Sequence, residues 1–132
     1  MRYTISIMES KQILVIEDSP YLAESIVDML TMRGYQTLVA QNGRDGAMMA
    51  IEQQPDLILL DIRLPDIDGY EVYRRIRENE WGAKANILIL TASESIDVIS
   101  KNIDLPVDHI LFKPEWSVSD LLDRIQKQIE DN

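Results

Sequence analysis

Short aliphatic runs that alternate with helical segments constrain the fold of this chain more than any other feature. Parallel neighbouring strands need a crossover of a dozen or more residues, usually a helix. Strands that are aliphatic throughout are typical of sheets covered on both faces. The sequence therefore predicts an α/β fold with five parallel strands and five helices. The predicted strands are residues 12–16, 37–39, 56–60, 87–90 and 110–112.

Local signals mark the ends of the predicted helices. The first three helices begin at polar residues followed by proline or glycine, which are Ser19-Pro20, Asn42-Gly43 and Asp68-Gly69. The third helix is expected to end near Trp81-Gly82. Residues 96–103 are β-branched and Ser-rich, which predicts a weaker fourth helix. Ser117 and Asp120 have the spacing of a capping box for the last helix.

The length of 132 residues suits one domain with its own core. Residues 11–132 carry the alternating pattern, and residues 1–10 lie outside it as a predicted N-terminal extension. A net charge of −10 repels a phosphate backbone, so we expect no direct contact with nucleic acid. The apolar runs are too short to span a bilayer, and the chain has no cysteine and no secretion signal. These features predict no membrane insertion and a cytoplasmic location.

Polar side chains follow four of the five predicted strands. Ligands of open α/β sheets bind beyond the carboxyl ends of the strands, where the strand order reverses. If the order is 2-1-3-4-5, the first and third strands are neighbours at that point. Three carboxylates then converge beside a hydroxyl and an ammonium. In chain order these groups belong to Glu17, Asp18, Asp61, Thr91 and Lys113.

This set of groups suits the transfer of a phosphoryl group to a carboxylate. Three carboxylates in one crevice repel each other, and Mg²⁺, which prefers oxygen ligands, relieves that repulsion. Asp61 ends the central strand and is the predicted nucleophile, with Lys113 and Thr91 placed to contact phosphoryl oxygens. Taken alone, each residue has an ordinary interpretation: Asp61 as a solvated strand-end residue, Thr91 as a cap for its turn, and Lys113 as a surface lysine.

From about residue 11 to residue 129 the sequence resembles the response-regulator receiver domains of bacterial two-component signalling. Each matching motif lies at a predicted strand end. The motifs are Glu17-Asp18 after KQILVI, the block LILLDIRLPDIDG, Thr91-Ala92 after NILIL, and Lys113-Pro114 after ILF. The resemblance implies a flavodoxin-like, doubly wound sheet.

The resemblance also implies a chemistry for these residues. Asp61 is expected to accept a phosphoryl group from a histidine kinase or phosphotransfer protein. Mg²⁺ is expected to be bound by Asp18 and Asp61, by Glu17 through water, and by the main-chain carbonyl of Arg63. Thr91 and Lys113 are expected to contact the phosphoryl group. The domain is thus expected to catalyse its own phosphorylation and slow hydrolysis, without being a metabolic enzyme.

The resemblance implies that output occurs by protein–protein contact, on the face formed by the fourth helix, the fifth strand and the fifth helix. The same face is a candidate for homodimer contacts, and the sequence does not identify the downstream protein. Ile110 stands three residues before Lys113, where the family often has Tyr or Phe. This departure keeps open a constitutive interaction module that no longer switches. A small hydrolase using Asp61 on phosphate esters is a further alternative, against which the lack of a lid and of a second general acid argues.

Overall fold

The computed structural model describes residues 10–92, 94–113 and 117–130. Almost all of the predicted N-terminal extension, residues 1–9, lies outside the described residues, and so does Pro114. Within the described ranges, five strands and five α-helices alternate along the chain. They are β1 (Gln12–Ile16), α1 (Pro20–Met32), β2 (Gln36–Ala40), α2 (Gly43–Gln53), β3 (Leu57–Asp61), α3 (Gly69–Glu78), β4 (Ile87–Thr91), α4 (Ile96–Asn102), β5 (Ile110–Phe112) and α5 (Val118–Glu130).

The strands form one parallel sheet in the order β2-β1-β3-β4-β5, which confirms the predicted topology. The order reverses between β1 and β3, because β1 pairs with β2 on one side and with β3 on the other. The carboxyl ends of β1, β3, β4 and β5 consequently lie along one edge of the sheet. This edge is where the candidate site is built.

Successive residues of the central strands β1, β3 and β4 point into two different cores. Leu14 and Ile58 face a layer formed by α2, α3 and α4, while Ile13 and Leu57 face a layer formed by α1 and α5. All four side chains are fully buried. Burial on both faces explains why β3 and β4 are aliphatic at every position up to their last residue instead of at every second one.

Short-range hydrogen bonds fix the helix starts where the sequence predicted them. The side chains of Ser19, Asn42 and Asp68 accept hydrogen bonds from backbone amides of the first turns of α1, α2 and α3. Before α5, Ser117 and Asp120 cap each other reciprocally, with N···O distances of 2.9 and 3.2 Å. Each cap satisfies amides that a helix leaves unpaired at its N-terminus.

The end of α3 differs from the prediction. The helix ends at Glu78, and a short 3₁₀ helix follows at Trp81–Lys84. Asn79 is extended, and its side chain accepts a hydrogen bond from the Trp81 amide at 3.0 Å. This local bond competes with helix continuation, which is why the apolar residue at 81 is not part of α3.

None of the helices in the described ranges is long and apolar enough to cross a membrane.

Candidate functional site

The pairing of β1 with β3 brings three carboxylates together. Ile16 pairs with Leu60. Glu17, which follows β1, and Asp61, the last residue of β3, therefore lie side by side. Glu17, Asp18 and Asp61 each offer an oxygen, and these oxygens all lie within 4.8 Å of one another. Glu17 and Asp61 are only 1% and 3% exposed, whereas Asp18 is exposed. The cluster is therefore buried at Glu17 and Asp61 and open to solvent at Asp18.

Lys113 bridges the two buried carboxylates. Its Nζ donates to Oε1 of Glu17 and to Oδ2 of Asp61, both at 2.9 Å. The second oxygen of each carboxylate accepts a backbone amide, from Ser19 for Glu17 and from Arg63 for Asp61, both at 3.0 Å. Four residues predicted to share a site, including Asp18, are thus in one cleft, and the Arg63 backbone lies beside Asp61.

The electrostatics of the cleft are set by burial. Desolvation raises the pKa of Glu17 to about 7, although hydrogen bonds from Lys113 and Ser19 oppose the shift. Desolvation also works against the charged form of Lys113, but its hydrogen bonds to Glu17 and Asp61 outweigh that cost and raise its pKa. One ammonium shared by two buried carboxylates, with Asp18 beside them, leaves an excess of negative charge. Clustered hard oxygen donors of this kind fit Mg²⁺.

Thr91 ends β4 and is fully buried. Its hydroxyl donates to the carbonyl of Glu94 at 3.0 Å and accepts the Glu94 amide at 3.1 Å. In this state Thr91 therefore caps its own turn, which is the ordinary interpretation that the sequence left open. The register Asp61–Leu90 places Thr91 one residue beyond the strand partner of Asp61. A contact with a phosphoryl group stays a prediction.

Two residues without a signal in the sequence complete this edge of the sheet. The Tyr70 hydroxyl donates to Oε2 of Glu94 at 2.5 Å, and Nε of Arg63 lies 3.8 Å from Oε1 of the same carboxylate. Desolvation and the Glu94 carboxylate raise the pKa of Tyr70 to about 12, so the phenol remains a donor at neutral pH. Tyr70 and Glu94 belong to no motif, and neither strand-end position nor periodicity singles them out.

Comparison with known proteins gives a consistent result. A family model described as "Response regulator receiver domain" matches residues 13–126. Over 115 residues the chain is 36% identical to the "DNA-binding dual master transcriptional regulator RpaA" of Synechocystis sp., covering 87% of this chain and 47% of that protein. It is 39% identical over 103 residues to the "Transcriptional regulatory protein AfsQ1" of Streptomyces coelicolor, covering 77% of this chain and 44% of that protein. The chain spans about half the length of the curated relatives it matches.

Solved structures agree with the topology. The receiver domain of sensor histidine kinase PA1611 from Pseudomonas aeruginosa, solved with a magnesium ion coordinated in its active-site cleft, is 31% identical, with a TM-score of 0.80. That match covers 92% of this chain and 98% of the other. A CheY-like response regulator receiver domain from Methanospirillum hungatei, at 24% identity and a TM-score of 0.80, covers 93% and 96% and shares the fold.

Proposed function

Because the chain belongs to the family of response regulator receiver domains, we propose that it is a phosphorylation-operated signalling switch whose acceptor is Asp61. The observation that carries the proposal is the geometry of the cleft. Three carboxylates gather within 4.8 Å, and Lys113 is bound to two of them at 2.9 Å. A solvated strand-end aspartate would not be buried, nor share an ammonium with a second buried carboxylate.

In the proposed reaction a carboxylate oxygen of Asp61 attacks the phosphorus of a phosphohistidine on a histidine kinase or phosphotransfer protein. The new O–P bond forms as the P–N bond breaks, and the electron pair remains on the imidazole nitrogen. Asp18, Asp61, Glu17 through water and the Arg63 carbonyl would hold Mg²⁺. The ion, when bound, would neutralise charge on the phosphoryl oxygens.

Lys113 has two parts in this proposal. Before transfer, its ammonium compensates the negative charge of the buried Asp61 side chain. After transfer, the aspartyl phosphate carries additional negative charge close to Nζ, and the ammonium can pair with a phosphoryl oxygen. Lys113 and Thr91 then contact the modified residue and transmit its presence to the surrounding loops.

The proposal is tested by incubating the protein with acetyl phosphate and Mg²⁺ and recording its intact mass. We expect an adduct of one phosphoryl group that depends on Mg²⁺ and is lost in Asp61→Asn. The absence of an adduct under these conditions contradicts the proposal. Multiple turnover of phosphate esters favours the hydrolase instead.

The proposal extends to the partners that receive the signal. Curated relatives of this chain are transcriptional regulators, by their names. For this chain we propose a protein–protein output through α4, β5 and α5, a face that also offers a homodimer contact, and no direct contact with nucleic acid. The division into an extension of residues 1–10 and a receiver domain of residues 11–132, and the cytoplasmic location, stay predictions.

The constitutive module remains a second candidate because of Ile110. This side chain is 2% exposed and packs in the core with Ile99 and Ile103 of the α4 region. This aliphatic side chain lacks the aromatic ring that the family often has at this position and that would couple to Thr91. Unchanged partner binding in the presence and absence of acetyl phosphate would favour this candidate.

A further inference from the structure

A hydrogen-bond network connects the turn after β4 to the first turn of α3. Thr91 is bound twice to the backbone of Glu94, at 3.0 and 3.1 Å. The Glu94 side chain, 26% exposed, is in turn held by the Tyr70 hydroxyl at 2.5 Å and lies 3.8 Å from Arg63. We call Thr91, Glu94 and Tyr70 the loop latch.

One end of the loop latch is fixed to the sheet. Tyr70 follows Gly69, whose amide donates to the carbonyl of Ile62 at 2.8 Å. A Cβ at Gly69 would lie 2.6 Å from Cα of Ile62 and 2.8 Å from the carbonyl oxygen of Asp61. The start of α3, from which Tyr70 projects, is therefore packed directly on the end of β3.

The other end of the loop latch is held by little buried apolar surface. α4 has seven residues, and Ile99 is its one buried residue. Segments with few buried contacts are those that open at low free-energy cost. The Glu94 turn therefore depends on the hydrogen bonds of the loop latch for its position.

The hydroxyl of Thr91 has one proton to donate, and it donates this proton in a hydrogen bond to the Glu94 carbonyl. A phosphoryl oxygen on Asp61 can accept this proton only if the bond to Glu94 breaks. Since Asp61 pairs with Leu90, the neighbour of Thr91, the two groups lie at adjacent positions of the same sheet edge.

We propose that Tyr70 and Glu94 are positioning residues that hold the Thr91 hydroxyl in its turn, away from Asp61, until the phosphoryl group arrives. This inference rests on the proposed function, because it assigns a partner to Thr91 in the unphosphorylated state and a competing partner afterwards. The loop latch sets the population of the state in which Thr91 is available. A weaker loop latch raises the population of the state in which the Thr91 hydroxyl is available, and phosphoryl transfer to Asp61 becomes faster.

The test compares initial rates of phosphorylation by acetyl phosphate at saturating Mg²⁺. In this reaction a carboxylate oxygen of Asp61 forms the O–P bond, and acetate leaves with the electron pair of the broken bond. Tyr70→Phe removes one hydroxyl and keeps the ring, and Glu94→Gln removes the charge while leaving the backbone bonds to Thr91. We expect each to raise the initial rate about three- to tenfold, because Tyr70→Phe removes the hydrogen bond to Glu94 and Glu94→Gln weakens it by removing the charge of the acceptor.

The matched control is Tyr73→Phe. Tyr73 lies one turn further along α3, and its hydroxyl donates to the carbonyl of Asp104 and accepts from Arg77, both at 3.1 Å, outside the loop latch. We expect the rate of Tyr73→Phe to match that of the wild type. The midpoint of the Mg²⁺ dependence should also be the same in the wild type and Tyr70→Phe, because no proposed metal ligand has changed.

A second comparison separates positioning from mere packing. If Tyr70 acts through Thr91, Tyr70→Phe has no effect on the rate when introduced into Thr91→Ala, whereas a general packing effect persists there. An unchanged or lower rate in Tyr70→Phe, or a rise that persists in Thr91→Ala, overturns the inference while leaving the proposed function intact. A wild-type protein that forms no adduct overturns both.

Discussion

Asp61 and Glu17 are carboxylates with almost no solvent contact, and they share the ammonium of Lys113. Charges removed from water are costly unless they are paired. The two carboxylates share one ammonium, and each accepts one backbone amide. Their two negative charges are therefore not fully compensated. The raised pKa of Glu17, caused first by desolvation, expresses the remaining cost. A divalent cation, held in the cleft as we propose, would supply the missing positive charge.

Asp18 is the exposed member of the cluster and a proposed ligand of Mg²⁺. We expect Asp18→Asn to raise the Mg²⁺ concentration for half-maximal phosphorylation about tenfold or more, because a ligand charge is lost. The control is Asp28→Asn, an equal change of charge on α1, which should leave the midpoint near that of the wild type. Equal shifts in both variants would contradict the assignment and indicate a general effect of net charge.

Lys113 stabilises the folded protein by compensating two buried charges. In Lys113→Met these carboxylates lose their cation, so we expect the free energy of unfolding in EDTA to fall by about 2–4 kcal/mol. Saturating Mg²⁺ should restore part of this loss, since the ion takes over charge compensation. Urea unfolding curves with and without Mg²⁺ measure both effects. A variant as stable as the wild type in EDTA would be inconsistent with the ion pairs described above.

The strand-end residues were predictable because their position depends on sheet topology alone. Parallel strands place their carboxyl ends at one edge, whatever the details of side-chain packing. The sequence left open that Thr91 caps its own turn, and its bonds to the Glu94 backbone do so. The contact of the Glu94 side chain with Tyr70 was not predictable, because it joins side chains 24 positions apart, for which neither periodicity nor a local motif provides a signal.

At the scale of elements, the sequence predicts helix starts better than helix ends. The starts of α1, α2 and α3 depend on capping side chains within a few residues of the helix. The end of α3 depends on Asn79, whose side chain bonds the Trp81 amide, and on Gly82. A Cβ at Gly82 would lie 1.8 Å from the carbonyl oxygen of Ile76. The tight packing of this segment against α3 follows from the fold and is not visible in hydrophobic spacing.

Asp66 connects the loop after β3 to the start of α2. Its carboxylate accepts the amides of Gly43 at 2.7 Å and of Arg44 at 2.9 Å, where the positive end of the helix dipole favours an anion. Desolvation alone would raise the pKa of Asp66, but the backbone hydrogen bonds from Arg44 and Gly43 outweigh it and lower the pKa to about 2. The folded state therefore favours the ionised carboxylate.

This shift fixes the sign of a pH dependence. A lowered pKa contributes stability that is complete above the ordinary value of 3.8 and is lost as the pH falls towards 2. We expect Asp66→Asn to have a lower urea midpoint than the wild type at pH 7, and the difference to be smaller at pH 3. Glu52→Gln, an equal charge change on an exposed residue of α2, is the control and should lack this pattern. A difference that grows towards pH 3 would contradict the assignment.

At the scale of the whole molecule, the topology was predictable because the central strands β1, β3 and β4 are buried on both faces and helices connect successive strands. The net charge of −10 is distributed over a surface that we propose meets other proteins. On the face that we propose for output, exposed Val98 of α4 and exposed Val107, three residues before β5, give no specific chemical signature for a partner. The sequence therefore predicts the fold and the strand-end cluster more fully than the partners.

We propose that one particular carboxylate in this chain, that of Asp61, accepts the phosphoryl group. The most direct test is to phosphorylate the protein with acetyl phosphate and Mg²⁺, reduce the acyl phosphate with borohydride, and locate the reduced side chain by peptide mass spectrometry. We expect reduction at Asp61 alone, and none when Mg²⁺ is omitted. Reduction at Glu17, at Asp18 or at a carboxylate outside the cleft would contradict it.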